Sequence, residues 1–156
     1  MSRTNLEVTM FIKRILLAVP TLLLLAAPAV ADGPGHLVVE VGKLRNLKGH
    51  LACLLFKSAD GFPDQPSKAY ARVSLTPEGN DVRCVFKGLP AGTYAVSVLH
   101  DEDKSGDMNT NFVGLPTEGY GASNNKLPAL SPPDFEDSTF SLAEGEDRTL
   151  SVTLKY

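Results

Sequence analysis

A chain of 156 residues with 43% hydrophobic and 7% aromatic side chains is long enough for one domain with a real core, and too apolar to be disordered. Its 15 basic residues are outnumbered by 18 acidic ones, a formal charge of −3. That balance excludes the basic footprint of a nucleic-acid-binding protein. Thirteen glycines and eleven prolines point to a fold rich in turns.

The basic pair Lys13-Arg14 precedes an apolar run from Ile15 to Ala27. Ala29-Val30-Ala31 then offers the small-x-small pattern at which exported chains are cut, and Asp32-Gly33-Pro34-Gly35 follows. The run is short for a bilayer span, with Pro20 inside it and Pro28 beside it, which argues against a membrane anchor. We expect residues 1–31 to be a cleavable signal peptide and residues 32–156 to form a single β-sandwich domain. No Cys stands at the cut, so no lipidated terminus is implied. Met10 is an alternative start, because Met-Phe-Ile-Lys-Arg is a more usual charged opening. Arg3, Lys13 and Arg14 leave with the peptide against only Glu7, so the remainder is more acidic still. The expected location is the periplasm or the exterior, and by default the protein is a monomer.

Cys53 and Cys84 both lie in the exported part, each within a strand-like run. In an oxidising compartment they read either as one bridge or as two buried thiols behaving as small apolar side chains. A bridge would stabilise the fold by about 3.7 kcal/mol from the lost freedom of the unfolded chain. Two Cys without a matched His spacing do not make a zinc site.

Leu37–Val41 is the first predicted strand, with Leu37, Val39 and Val41 on one side. His50–Lys57 is the second. Residues 59–66 carry too many breakers for helix or sheet. Tyr70–Leu75 and Val82–Phe86 are the third and fourth strands. Thr93–His100 is the fifth, with Tyr94, Val96 and Val98 on one face. A long loop from Asp101 to Asp134 comes next, followed by strands at Ser138–Leu142 and Thr149–Tyr156. In the last, Leu150, Val152, Leu154 and Tyr156 alternate with Ser151, Thr153 and Lys155, so one face is buried and the other wet. Seven short strands with frequent turns predict an all-β fold, a seven-stranded antiparallel β-sandwich of Ig-like or transthyretin-like type. No helix-period segment follows Ala31.

The segment after the fifth strand reads His100-Asp101-Glu102-Asp103-Lys104-Ser105-Gly106-Asp107-Met108-Asn109-Thr110-Asn111. Oxygen-bearing side chains fall on Asp101, Asp103, Ser105, Asp107, Asn109 and Asn111, with Gly106 where a loop must turn sharply. Calcium takes six to eight oxygens at close range, and this spacing supplies them from a few curled residues. Crowded carboxylates repel one another, and a divalent cation removes that penalty. The motif is the ligand half of an EF-hand only: Phe112 occupies the twelfth position, where a bidentate Glu belongs. Glu118 and His100 are possible additional ligands. The expected cofactor is calcium, held at about the weak extracellular range of 10⁻⁴–10⁻³ M. The competing reading is a solvated turn with no ion, since Asp, Asn, Ser and Gly favour turns by themselves.

The continuation from Phe112 to Asn125 is long enough to suggest function. Phe112, Leu115, Tyr120 and Asn124 read as a rim for an envelope or extracellular partner. Alternatively Phe112, Leu115 and Tyr120 pack over the open end of the sandwich. Catalytic groups are thin. His100 beside Asp101 could orient a nucleophile such as Ser123, giving a hydrolase or lyase, but no local signature supports a triad. His36 and His50 are isolated. No catalytic residue is assigned.

The run Phe86-Lys87-Gly88-Leu89-Pro90-Ala91-Gly92-Thr93-Tyr94, the His100-Asp101 loop, Gly114-Leu115-Pro116-Thr117-Glu118-Gly119-Tyr120-Gly121-Ala122-Ser123-Asn124-Asn125 and the closing Leu154-Lys155-Tyr156 resemble the exported bacterial proteins of the uncharacterised DUF2141 family. The likeness spans Leu37 to Tyr156. The first piece also looks like carboxypeptidase-regulatory and transthyretin-like sandwiches, where a Pro-Gly turn feeds a central strand. The resemblance implies export and carries no activity. Family loops commonly run Asp-x-Asn-x-Asn-Gly. Asp103 and Ser105 replace the Asn residues here and keep the oxygen donors. Three functions follow as expectations: a non-enzymatic module that holds calcium and presents residues 112–125, a hydrolase or lyase using His100, or a structural exported protein with no ion.

Overall fold

The structure, a computed structural model, describes residues 33–79 and 81–156. The expected signal peptide lies outside the described residues. Among those described, eight strands form two sheets: β1 (Gly35–Gly42), β2 (His50–Phe56), β3 (Ala71–Leu75), β4 (Val82–Leu89), β5 (Gly92–Asp101), β6 (Gly119–Ala122), β7 (Thr139–Leu142) and β8 (Asp147–Thr153). One sheet runs β4-β1-β8. The other runs β3-β2-β5-β6, with β7 also on β5. Because β6 pairs with Ser97–His100 and β7 with Gly92–Ala95, the two short strands share one edge of β5. The all-β sandwich expected from period-two patterning is the fold observed.

Alternation decides the inward faces. Leu37, Val39 and Val41 of β1 meet Leu51, Cys53 and Leu55 of β2, and Val96 and Val98 of β5, in one core. The two sheets are also joined covalently by the Cys53–Cys84 disulfide, with Cα atoms 6.4 Å apart. At the β4–β5 turn the buried Tyr94 donates its hydroxyl to the Pro90 carbonyl at 2.7 Å. The Leu-Pro-x-Gly-x-Tyr run thus closes its own corner, a structural role.

Two expectations change. The pairing of β1 with β8 is parallel, where an antiparallel sandwich was expected. Alternation fixes which face of a strand is buried and leaves its direction open. The eighth strand, β6, lies inside what reads as continuous loop, because Gly-Tyr-Gly-Ala has little strand propensity. Its glycines face inward, where another chain segment passes close. A Cβ on Gly121 would sit 2.6 Å from Val152 Cγ1, and one on Gly119 2.5 Å from the Tyr156 ring.

The outer face of the larger sheet is covered in part. β2 is buried on both sides except at His50 and Ala52. Phe56 is covered by Phe62, whose ring lies 5.4 Å away, and Phe62 in turn meets Phe135 at 5.7 Å. The segments between β2 and β3 and between β6 and β7 therefore roof the part of this face around Phe56. No helix among the described residues is long and apolar enough to cross a membrane.

Candidate cation site

Asp101 ends β5 and Glu118 immediately precedes β6. The antiparallel register places His100 opposite Gly119, so strand pairing brings the two carboxylates together across the intervening loop. Asp103 joins them. Carboxylate oxygens of Asp101, Asp103 and Glu118 lie within 4.8 Å of one another. Asp101 and Glu118 are 6% and 3% exposed, and Asp103 is exposed. Glu118 stands at a strand edge, where the β5–β6 register brings its carboxylate back to the loop.

The loop curls through positive φ at Lys104 (65°) and Gly106 (87°), which turns main-chain N–H groups toward the acids. Ser105 N–H donates to Asp101 Oδ1 and to Asp103 Oδ1, both at 3.0 Å. Gly106 N–H donates to Asp101 Oδ2 at 2.9 Å. Asn109 donates its side-chain amide to Asp103 Oδ2 at 2.6 Å and its main-chain N–H to Glu118 Oε2 at 3.1 Å. Glu102 N–H donates to Glu118 Oε1 at 2.8 Å. Every oxygen of the three carboxylates thus has a donor and keeps a free lone pair. Hydrogen bonds from Ser105 and Asn109 hold the Asp103 carboxyl below its ordinary range. None of the ion pairs among the described residues reaches Asp101, Asp103 or Glu118.

The remaining predicted ligands divide. Ser105 and Asn109 touch the acids. The Ser105 hydroxyl donates to the Asp107 carbonyl at 3.1 Å, while the Asp107 residue is exposed. Asn111 stands apart: its Oδ1 accepts from Val113 and Leu115 N–H and caps the next turn. Main-chain bonds between Asn109 and Thr117 and between Asn111 and Leu115 close a small hairpin, with Phe112 and Val113 at its tip.

Phe112 is 100% exposed, Val113 61% and Leu115 44%. They do not cover the end of the sandwich. Tyr120 is half-buried in β6. Asn124 is exposed yet committed inside the fold, its amide donating to the Asp137 and Thr139 carbonyls at 3.0 and 2.8 Å. Asn125 pins β8, donating to Ser151 O and accepting from Thr153 N–H. Both residues have positive φ, so Asn124 is better read as a clamp than as part of a rim.

His100 is fully buried. Its Nε2 donates to the Lys48 carbonyl at 2.9 Å, which leaves Nδ1 to accept the Tyr156 hydroxyl at 2.8 Å. Neither nitrogen is free for a ligand or a substrate. Ser123 is equally buried, its hydroxyl held by Val96 N–H and the Ser138 carbonyl.

Sequence reasoning missed the buttress behind the loop. Arg45 and Asn46 bind the Glu102 carboxylate at 2.6 and 2.8 Å. Arg45 also donates to the Thr117 carbonyl at 2.9 Å, and its guanidinium lies 4.5 Å over the Tyr156 ring. Partial burial raises the Glu102 pKa, but the Asn46 and Arg45 bonds outweigh it and hold the carboxyl below its ordinary range. No spacing signal marks these residues.

The sequence pattern of a family described as an uncharacterised protein conserved in bacteria, DUF2141, matches residues 39–150. No curated protein and no solved structure gives a match.

Proposed function

The chain belongs to the DUF2141 family, which carries no described activity, and on that premise we propose from its geometry that it is an exported, non-enzymatic β-sandwich module binding calcium at Asp101, Asp103 and Glu118. The loop so ordered presents the 112–115 tip, Phe112 and Leu115 above all, to an envelope or extracellular partner. Export is supported by the Lys13-Arg14 and Ala29-Val30-Ala31 pattern and by the disulfide, which suits an oxidising compartment.

One observation carries the cation reading: two carboxylates more than nine-tenths buried, a third within reach, and no Lys or Arg paired with them among the described residues. Uncompensated buried charge is costly, and N–H donors offset it only in part. A hard divalent cation matches an all-oxygen donor set. The hydrolase or lyase alternative would need His100 to release one of two buried hydrogen bonds.

Thermal unfolding in EDTA and in 10 mM calcium tests the site. With affinity in the weak extracellular range, calcium stabilises the protein by about 1.4–2.7 kcal/mol. The response disappears in a Glu118→Gln protein. Identical melting with and without calcium would leave the structural, ion-free reading.

A further inference from the structure

A second feature lies over the outer face of the larger sheet, a pocket of about 360 Å³. Its floor is apolar: Ala52 and Leu54 of β2, Leu99 of β5 and Tyr120 of β6. Three separate segments wall it, the turn at Pro63–Pro66, the acidic loop through Met108 and Pro116, and the stretch from Ala129 to Pro133. Prolines recur in all three walls. Their fixed φ stiffens the rim, so little ordering remains to be done when a ligand enters.

The volume suits a small molecule, and a mostly apolar lining with a few placed polar groups is the usual make-up of such a site. The charge on the lining is one-sided. Asp64 and Asp107 are the charged residues that line it, both exposed, and no ion pair among the described residues involves either. No Lys or Arg among the described residues lines it. An anionic amphiphile such as a fatty acid would meet repulsion from these two carboxylates. A cationic one would meet two carboxylates.

We propose that this pocket binds a small cationic amphiphile, an apolar body carrying an ammonium or similar group. The apolar body rests on Ala52, Leu54 and Leu99, and the charged end lies at Asp64 and Asp107. The site goes beyond the cation reading, because its floor is the sheet itself.

The test uses octyltrimethylammonium, with octanoate and octanol as anionic and neutral partners of the same chain length. Titrations followed by calorimetry and by amide NMR shifts are run both with calcium and in EDTA, so a failure in both counts against this site whatever the fate of calcium binding. The cationic probe is expected to bind about tenfold more tightly than octanoate, two exposed ion pairs contributing a few-fold each. Shifts should centre on Ala52, Leu54, Leu99 and Tyr120. The exposed double variant Asp64→Asn/Asp107→Asn should bring the two affinities within about twofold of each other while octanol binding is unchanged. Preference for octanoate, shifts centred elsewhere, a double variant that keeps the preference, or no binding of any probe would each overturn the proposal.

Discussion

His100 and Tyr156 are bonded to each other at 2.8 Å, ring nitrogen to phenol. The Tyr156 hydroxyl also accepts the Arg45 main-chain N–H at 3.0 Å, so one oxygen ties the end of β5 to the β1–β2 connection. Tyr156→Phe removes that oxygen and strands a buried imidazole acceptor. The expected loss is about 1–3 kcal/mol, measured as a lower urea midpoint with an unchanged slope.

Gly49 has φ 71°, and a Cβ there would fall 1.9 Å from the Asp101 carbonyl oxygen and 2.6 Å from Glu102 Cα. Main chain cannot yield as a side-chain tip does. Gly49→Ala is expected to cost about 2–4 kcal/mol from strain and overpacking together. The clash falls on the carbonyl of a proposed ligand, so calcium-induced stabilisation should shrink with it in the same melting assay.

Replacing both Cys53 and Cys84 by Ala removes the tie between the sheets. The chain-entropy treatment gives a loss of about 3.7 kcal/mol, with the cavity left by two buried sulfurs adding to it. Denaturant unfolding of this variant, beside wild type with and without reductant, checks the value.

The pH dependence has two ends. Glu102 and Asp103 are held below their ordinary values of 4.5 and 3.8. Their contribution to stability is therefore present above those values and lost as pH falls through the lowered ones. Tyr156 is raised above 10.0, chiefly by burial and further by the Glu102 carboxylate, with the Arg45 N–H opposing. Its contribution is full below pH 10 and lost as pH rises through the higher value. Unfolding midpoints across pH should fall at both ends, and the Tyr156→Phe protein should lose part of the alkaline dependence.

What the sequence made legible follows from what a period-two pattern encodes. Leu37, Val39 and Val41 sit on the inner face that their spacing requires, and the carboxylates of Asp101 and Asp103 lie close together as theirs suggests. Strand direction is not encoded this way, so the pattern leaves the parallel partner of β1 unmarked. Gly119 and Gly121 hide a strand, because their reason for being small is a neighbour more than thirty residues downstream. Nothing in the spacing ties Glu118 to the acidic loop, because its place follows from the β5–β6 register. Asn124 looked available because it is polar and in a loop, yet its amide is spent on two carbonyls.

β1 is central in its sheet, and both of its neighbours, β4 and β8, are made after it. A chain emerging in order therefore holds β1 unpaired until β4 is made, and the smaller sheet gains its third strand only when Asp147–Thr153 has appeared. One edge of β1 thus stays open until β8 is made, and closing it is a long-range pairing of the slow kind.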